Sequence, residues 1–135
     1  MSDHLPKYSA GSVTRTASAA ITGGQLVTVT GDLTVGPAGA GDVVVGVADR
    51  DAATDELVTV TTIGVTHVLT AAAAVDAGDL LMAAADGEVT PVAAAAATGS
   101  ATAQTATDIE NAKVVIGVAW QDIAQDETGE CLLRV

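Results

Sequence analysis

The residues best suited to chemistry in this chain are acids, and they occur in two similar phrases. "VVVGVADRDAATDE", residues 43–56, has a near copy 71 positions later in "VVIGVAWQDIAQDE", residues 114–127. Because acids recur in the same order, the repeat is either a duplicated binding site or a duplicated piece of architecture.

Calcium binding is the chemistry that the first phrase could support. Asp49, Asp51, Asp55 and Glu56 carry the oxygen ligands that Ca²⁺ prefers. The second copy has Trp120 where the first has Asp49, and neither has the glycine and bidentate glutamate spacing of a helix-loop-helix calcium site. We therefore interpret both phrases as a buried strand followed by a solvated acidic turn that keeps a sheet edge from pairing, with no metal. Calcium binding remains the alternative.

Candidate catalytic groups are few. His67 lies in an alternating strand-like segment with no partner at a recognisable spacing, and we interpret it as a strand histidine that is either on the surface or satisfied by hydrogen bonds. Cys131 lies in the apolar run "CLLRV" and is predicted to be buried rather than nucleophilic. No phosphate loop, dinucleotide-binding turn or CxxC pair is present. The sequence predicts no catalytic site, no cofactor and no enzyme.

Short segments rich in Val and Thr, separated by Gly and Asp, must position these residues. "VTVT" alternates with period two, as half-buried strands do, and Asp86-Gly87 predicts a two-residue hairpin with positive φ. Gly46 and Gly117 occupy the same place in the two phrases and are predicted to allow strand bending or close backbone approach. We predict an all-β fold, a small sandwich or barrel built from pseudo-repeated strand units.

Charge and composition restrict the partners. The net charge of −12 argues against nucleic acid and against an anionic membrane. No apolar run reaches membrane-spanning length, and no secretion signal is visible. Phe is absent, and Tyr8 and Trp120 are the only aromatic residues, so burial must come from Val, Ala, Leu and Ile. Such a weakly stabilised subunit gains from sharing its core or edges with copies of itself.

The chain divides into an arm and a body. Residues 1–15 are predicted to form an extended N-terminal arm, in which Lys7 and Arg15 give a positive excess. Residues 16–135 are predicted to be a single β domain with a long Ala/Thr-rich loop at 93–112. Trp120 either fills the core beneath that loop or anchors an interface with another subunit or with a partner.

Nearly the whole chain resembles one protein family. "PKYSAG", "TASAAITGGQLVTV", "AAAAVDAGDLLMAAADGEVTPV" and "VVIGVAWQDIAQDETGECLLRV" are similar to segments of the small capsid decoration, or cement, proteins of tailed phages, in particular the actinobacteriophage type. The resemblance implies a β-tulip-like subunit that is made in the host cytoplasm and forms a homotrimer on the outer capsid surface of the virion. It also implies that this trimer bridges major capsid proteins, and that the two phrases are pseudo-symmetric architecture.

Residue roles follow from this resemblance together with the chemistry of the arm. The arm is predicted to bind the capsid through a mixture of basic, aromatic and proline side chains: Leu5, Pro6, Lys7, Tyr8 and Arg15. Trp120 is a possible subunit interface residue. The alternative function is a calcium- or carbohydrate-binding β module.

Overall fold

The computed structural model describes residues 11–62, 66–92 and 115–133, and in these ranges the fold is all-β, as predicted. Within these ranges, a short 3-10 turn at Ala85–Gly87 lies between two of the strands. Among the described residues, no helix is long and apolar enough to cross a membrane. The strands, in chain order, are β1 (Ser12–Ala17), β2 (Leu26–Gly31), β3 (Thr34–Pro37), β4 (Gly46–Ala48), β5 (Leu57–Thr61), β6 (Thr66–Thr70), β7 (Leu80–Ala83), β8 (Val89–Pro91), β9 (Gly117–Ala119) and β10 (Thr128–Leu133).

The first five strands close into a barrel in the order β1-β3-β2-β4-β5. β1 runs parallel to β3, with Ala17 beside Val35, and antiparallel to β5, with Ser12 opposite Thr61. The other neighbours in the barrel are antiparallel. We call this unit barrel 1.

The last five strands form a five-stranded sheet in the order β6-β10-β9-β7-β8, which matches the neighbour relations of barrel 1. A parallel bridge between Ala71 and Val89 brings β8 back to the end of β6, in the place of the β1–β3 contact. We call this unit barrel 2. The prediction of pseudo-repeated strand units is confirmed.

Two separate offsets relate the barrels. Pro91 ends β8 as Pro37 ends β3, 54 positions earlier, whereas β9 and β10 follow their counterparts by 71 positions. The difference arises because the connection between β8 and β9 is much longer than that between β3 and β4. The predicted loop at 93–112 falls in this connection and lies outside the described residues.

The two barrels have distinct cores, built from small aliphatic side chains as predicted. The core of barrel 1 includes the buried side chains of Ile21, Val27 and Val58. The interior of barrel 2 includes Leu69 and Leu81, and its core extends across the junction to residues on the outside of barrel 1. The second core thus joins the barrels into one body.

Gly46 and Gly117 are required by close backbone approach, as predicted. A Cβ atom on Gly46 would collide with the carbonyl oxygen of Thr61, and one on Gly117 would collide with that of Leu132. In each barrel, therefore, the fourth strand approaches the fifth at a distance that only glycine permits.

The boundary of the predicted arm needs correction. Ser12 to Arg15 belong to β1 and pair with β5, because this strand is needed to close barrel 1. The predicted arm can therefore include residues only up to Gly11, and not up to Arg15. Leu5, Pro6, Lys7 and Tyr8 lie outside the described residues.

Candidate functional site

The first acid of each repeated turn fastens one loop to another. The Asp51 carboxylate accepts a hydrogen bond from the N–H of Gly23 (2.7 Å), and the Asp122 carboxylate accepts one from the N–H of Ala77 (2.8 Å). Gly23 and Ala77 precede the second strand of their barrels, whereas the acids follow the fourth strand. Each carboxylate therefore closes the same pair of loops at one end of its barrel.

The second acid shared by the two turns, Asp55 or Asp126, adopts a left-handed backbone conformation. Asp55 and Asp126 have φ of 71° and 65°, in the left-handed region that Asp tolerates better than most residues. Their N–H groups donate to the carbonyl oxygens of Ala17 and Ala71 at 2.8 and 2.7 Å. The turn thus hydrogen-bonds to the end of the first strand in both barrels.

The acids of the first turn have backbone partners rather than a shared centre. Glu56 accepts a hydrogen bond from the N–H of Ala53 at 3.0 Å, as Asp51 does from Gly23. Within the described ranges, no three His, Cys, Asp or Glu residues are grouped so as to hold a metal ion. The role that we predicted for the acids, protection of a sheet edge, is wrong for the first turn, because barrel 1 is closed and the acids tie loops together.

His67 and Cys131 form a pair that sequence spacing did not reveal. They lie directly opposite each other on β6 and β10, so both side chains are on the same face of the sheet. A histidine beside a cysteine can generate a thiolate nucleophile when the environment favours the charged forms. Only the register of the two strands, which are far apart in sequence, brings them together.

The surroundings of this pair favour the neutral forms instead. Cys131 is fully buried, and burial raises the pKa of its thiol from 9.0 to about 11, so the thiol is protonated at neutral pH. Its sulfur lies 3.8 Å from the carbonyl oxygen of Gly129. Burial also lowers the pKa of His67, although a backbone hydrogen bond at Thr62 and the Asp49 charge act against it. The prediction of a buried cysteine is confirmed. His67 lies on a strand as predicted, but it is neither a surface nor a satisfied histidine, because its Nε2 atom is buried and has no hydrogen-bond partner among the described residues.

Trp120 lies on the surface and not in the core. Its side chain is 56% exposed, and its indole N–H donates to the Thr66 hydroxyl at 3.1 Å. In barrel 1 the equivalent Asp49 accepts from the Thr61 hydroxyl. The interpretation of Trp120 as core filling is therefore wrong, and an interface role stays a prediction.

An apolar face surrounds Trp120 on the outside of barrel 2. Leu80, Val118 and Leu132 are successive cross-strand neighbours on β7, β9 and β10. Leu80 is 47% exposed, and Val118 and Leu132 are partly exposed. A band of apolar side chains beside an exposed Trp is typical of a protein–protein contact surface.

A second apolar surface lies where barrel 1 opens to solvent. A cavity of about 290 Å³ is lined there mainly by valines, including Val13, Val29 and Val45, with Arg15 and Thr62 at its side. Val29 is 60% exposed. We call these five residues the mouth of barrel 1.

A polar cleft of about 310 Å³ lies at the junction of the barrels. Its lining includes Gln25, Asp86 and Glu88, and the Gln25 amide donates to the carbonyl oxygen of Asp86 at 2.8 Å. Its polar groups are thus partly used in joining barrel 1 to the β7–β8 turn. It shows no feature that favours the carbohydrate-binding alternative.

The family model for phage cement proteins matches residues 7–135. The chain belongs to the phage cement protein family. This cement protein is therefore a capsid-associated structural protein of a phage. None of the curated proteins matches it in sequence.

The fold recurs in a solved structure of another phage protein. The crystal structure of the head fiber gp8.5 N base of bacteriophage phi29 matches with a TM-score of 0.66 and 18% sequence identity. The match covers 91% of this chain and 92% of that chain. It shows that the two chains share the same fold over almost the whole length of each chain.

The residues that we predicted for function are distributed over different parts of this cement protein. Arg15 lies at the mouth of barrel 1, and Trp120 lies on the outside of barrel 2. Sequence reasoning missed the mouth and the apolar face near Leu80. Alignment of "GGQLVTVTGDLTVGP" (23–37) with "AGDLLMAAADGEVTP" (77–91) is the signal that could have indicated them, because it relates β2 and β3 to β7 and β8.

Proposed function

We propose that the chain is a homotrimeric decoration protein that binds the outer surface of a phage head and bridges neighbouring major capsid proteins. The observation that carries this proposal is the family match over residues 7–135. The structure contributes a body with two exposed apolar surfaces and a buried, protonated cysteine in place of a nucleophile. Its role is mechanical rather than catalytic.

The charge of the chain supports a position on the outer surface. With a net charge of −12, the protein is repelled by the packaged genome and tolerates the side of the shell that faces solvent. The bases near the N-terminus, Lys7 among them, run against this overall charge. They suit a contact with carboxylates of the capsid.

The arm is the proposed capsid-binding segment. Leu5, Pro6 and Tyr8 offer apolar and backbone contacts, and Lys7 offers a charge. A segment that orders on a partner gives up entropy for a long contact surface. Exposed ion pairs contribute about 0–1 kcal/mol each, so Tyr8 should matter more than Lys7.

Binding to expanded capsids that lack the protein tests this function. The full chain should sediment with capsids and raise the temperature at which they release DNA. Deletion of residues 2–10 should abolish binding and leave the barrels folded. The deletion retains Gly11 because its carbonyl oxygen accepts hydrogen bonds from the N–H (2.7 Å) and hydroxyl (2.9 Å) of Thr62.

Two point variants complete the experiment. Tyr8→Ala should weaken binding more than Lys7→Ala, and the Lys7→Ala effect should diminish at high salt. Undiminished binding by the deletion variant would show that the barrels, not the arm, contact the capsid. No binding by the full chain to any capsid surface would overturn the function itself.

A further inference from the structure

The mouth of barrel 2 is already covered within the chain. Leu69 and Leu133, which occupy the positions of Arg15 and Thr62, are fully buried there. They share one core with residues on the outside of barrel 1, which we call the wall of barrel 1: Leu26, Ala38, Val44 and Val47. One barrel's wall therefore covers the other barrel's mouth.

The counterparts of these two buried surfaces are less covered within the described ranges. In the mouth of barrel 1, Val29 is 60% exposed and the other valines are partly exposed, and the wall of barrel 2 is exposed or partly exposed. The wall of barrel 2 consists of the equivalents of the wall of barrel 1: Leu80, Val92, Val115 and Val118. The mouth of barrel 1 and the wall of barrel 2 are thus two apolar surfaces of matching chemistry that do not contact each other within the chain.

Paired differences between the barrels support this correspondence. Within the chain, the charge of Asp49, which directly follows β4, acts on the imidazole of His67 on β6 of barrel 2. At the free surfaces, Trp120 replaces Asp49 and Val13 replaces His67. A polar pair inside the chain has become an apolar pair on the two free surfaces, as a contact with water excluded between them requires.

We propose that the wall of barrel 2 of one copy covers the mouth of barrel 1 of the next copy and so repeats the internal contact between chains. Such a head-to-tail contact is heterologous and forms a ring where the rotation closes. This inference rests on the homotrimer of the proposed function, since three copies in a ring satisfy every mouth and every wall. Trp120 packs near Val13 of the neighbouring copy.

The polar residues of the free mouth fit an interface that forms after folding. Arg15 and Thr62 stand where the internal mouth has two leucines. They reduce the apolar area that each copy exposes before assembly, and charged or polar groups at the edge of an apolar contact are typical of interfaces between separately folded chains.

Charged substitutions at the centre of each surface test the contact. Val29→Asp changes the mouth, and Leu80→Asp changes the wall. Leu57→Asp is the matched control, because Leu57 is 58% exposed on barrel 1 but belongs to neither surface. Sedimentation velocity should show a trimer for the unchanged chain and for Leu57→Asp, and monomers for the other two. Circular dichroism should show that all four proteins are folded.

A mixture of the two monomeric variants identifies the geometry. Val29→Asp retains an intact wall and Leu80→Asp retains an intact mouth, so the mixture should form a heterodimer that cannot grow. The fluorescence of Trp120 should shift to the blue only in this mixture and in the trimer. A mixture that stays monomeric, variants that stay trimeric, or an unchanged chain that is monomeric both in solution and on capsids would each overturn the proposal.

Capsid binding distinguishes this inference from the proposed function. A chain that decorates capsids but never contacts its own copies through Val29 and Leu80 keeps the function and loses the inference. A ring that assembles in solution through these surfaces but binds no capsid would support the inference and overturn the proposed function.

Discussion

His67 and Cys131 show how environment decides the chemistry of two adjacent residues. They lie opposite each other on β6 and β10, yet burial favours the uncharged form of each side chain. In barrel 1 the same positions hold Val13 and Val60, so the fold requires only apolar volume there. The pair is therefore a packing feature whose ionisation opposes folding, at high pH for the thiol and at low pH for the imidazole.

Substitution of Cys131 should remove a loss of stability at high pH. The folded thiol has a pKa of about 11 against 9.0 unfolded, so the unfolded chain ionises first and the free energy of unfolding falls as pH rises through this window. Cys131→Val, which copies Val60, should lack this loss and stay within about 1.5 kcal/mol of the parent at pH 7. Urea unfolding at pH 8 and pH 10.5 measures both. The same change with pH in both proteins would contradict the prediction.

His67 should have the opposite dependence, at low pH. Burial lowers its folded pKa below 6.5, so protonation favours the unfolded chain and the free energy of unfolding falls as pH drops below about 6.5. His67→Val, which copies Val13, should lose less stability between pH 7.5 and pH 5 than the parent. His4→Gln is the control for the other histidine and should follow the parent. Equal slopes for His67→Val and the parent would assign the acid sensitivity to carboxylates.

The residues that recur in the two copies of the duplicated phrase are mainly those that make specific contacts in turns, in loops and at close strand approaches. The same carboxylates, the same left-handed aspartates and the same close glycines recur because each makes one specific contact needed to close a barrel. The repeat persists where the two barrels share a contact. It breaks at Trp120, where the surroundings of the two barrels differ.

Removal of the loop-fastening carboxylates should destabilise the protein measurably. Asp51→Ala and Asp122→Ala each remove the carboxylate partner of an exposed backbone N–H, which water can partly replace, so each should cost about 0.5–1.5 kcal/mol. Asp51→Asn retains an acceptor and should cost less. Asp32→Ala, at an exposed turn position, removes the same charge and should stay within about 0.5 kcal/mol. An equal effect at Asp32 would mean that net charge, and not the loop contact, determines stability.

Local patterns in the sequence predicted the elements but not their partners. Strand composition and Asp86-Gly87 predicted the all-β fold and a positive-φ turn, and both residues have positive φ, at 57° and 69°. The equivalent turn in barrel 1 has Leu33 at 58°, which no turn rule selects. Barrel closure, the His67–Cys131 pair and the Gly23–Asp51 contact depend on register between distant segments. No period within a single strand encodes that register.

The two barrels form one body because the wall of barrel 1 completes the core of barrel 2. Leu26 and Val47 are buried against barrel 2, whereas their equivalents Leu80 and Val118 remain exposed or partly exposed. The same residue type therefore contributes differently to the free energy of unfolding in the two barrels. The difference in burial arises from which surface the strand packs against, and not from the local structure of the strand itself.

Leu26→Ala and Leu80→Ala measure this difference directly. Leu26→Ala should cost about 2–5 kcal/mol because it opens a cavity in the shared core. Leu80→Ala should cost less than about 1 kcal/mol in a subunit held monomeric by Val29→Asp. Calorimetry should show one transition in both cases. Two separate transitions, or equal costs, would show that the barrels unfold independently.

The closed strand order also dictates when each barrel can form during synthesis. β1 cannot pair until β5, which closes barrel 1, has been made, and β6 cannot pair with its neighbour β10 until the end of the described chain has been made. A ribosome that adds about 5–20 residues per second takes roughly 4–14 seconds from Thr61 to Leu133. During that interval barrel 1 is complete, but Leu26 and Val47 face water. The long connection between β8 and β9 extends the interval, so the nascent chain exposes its apolar wall for longer than a chain with two equal connections.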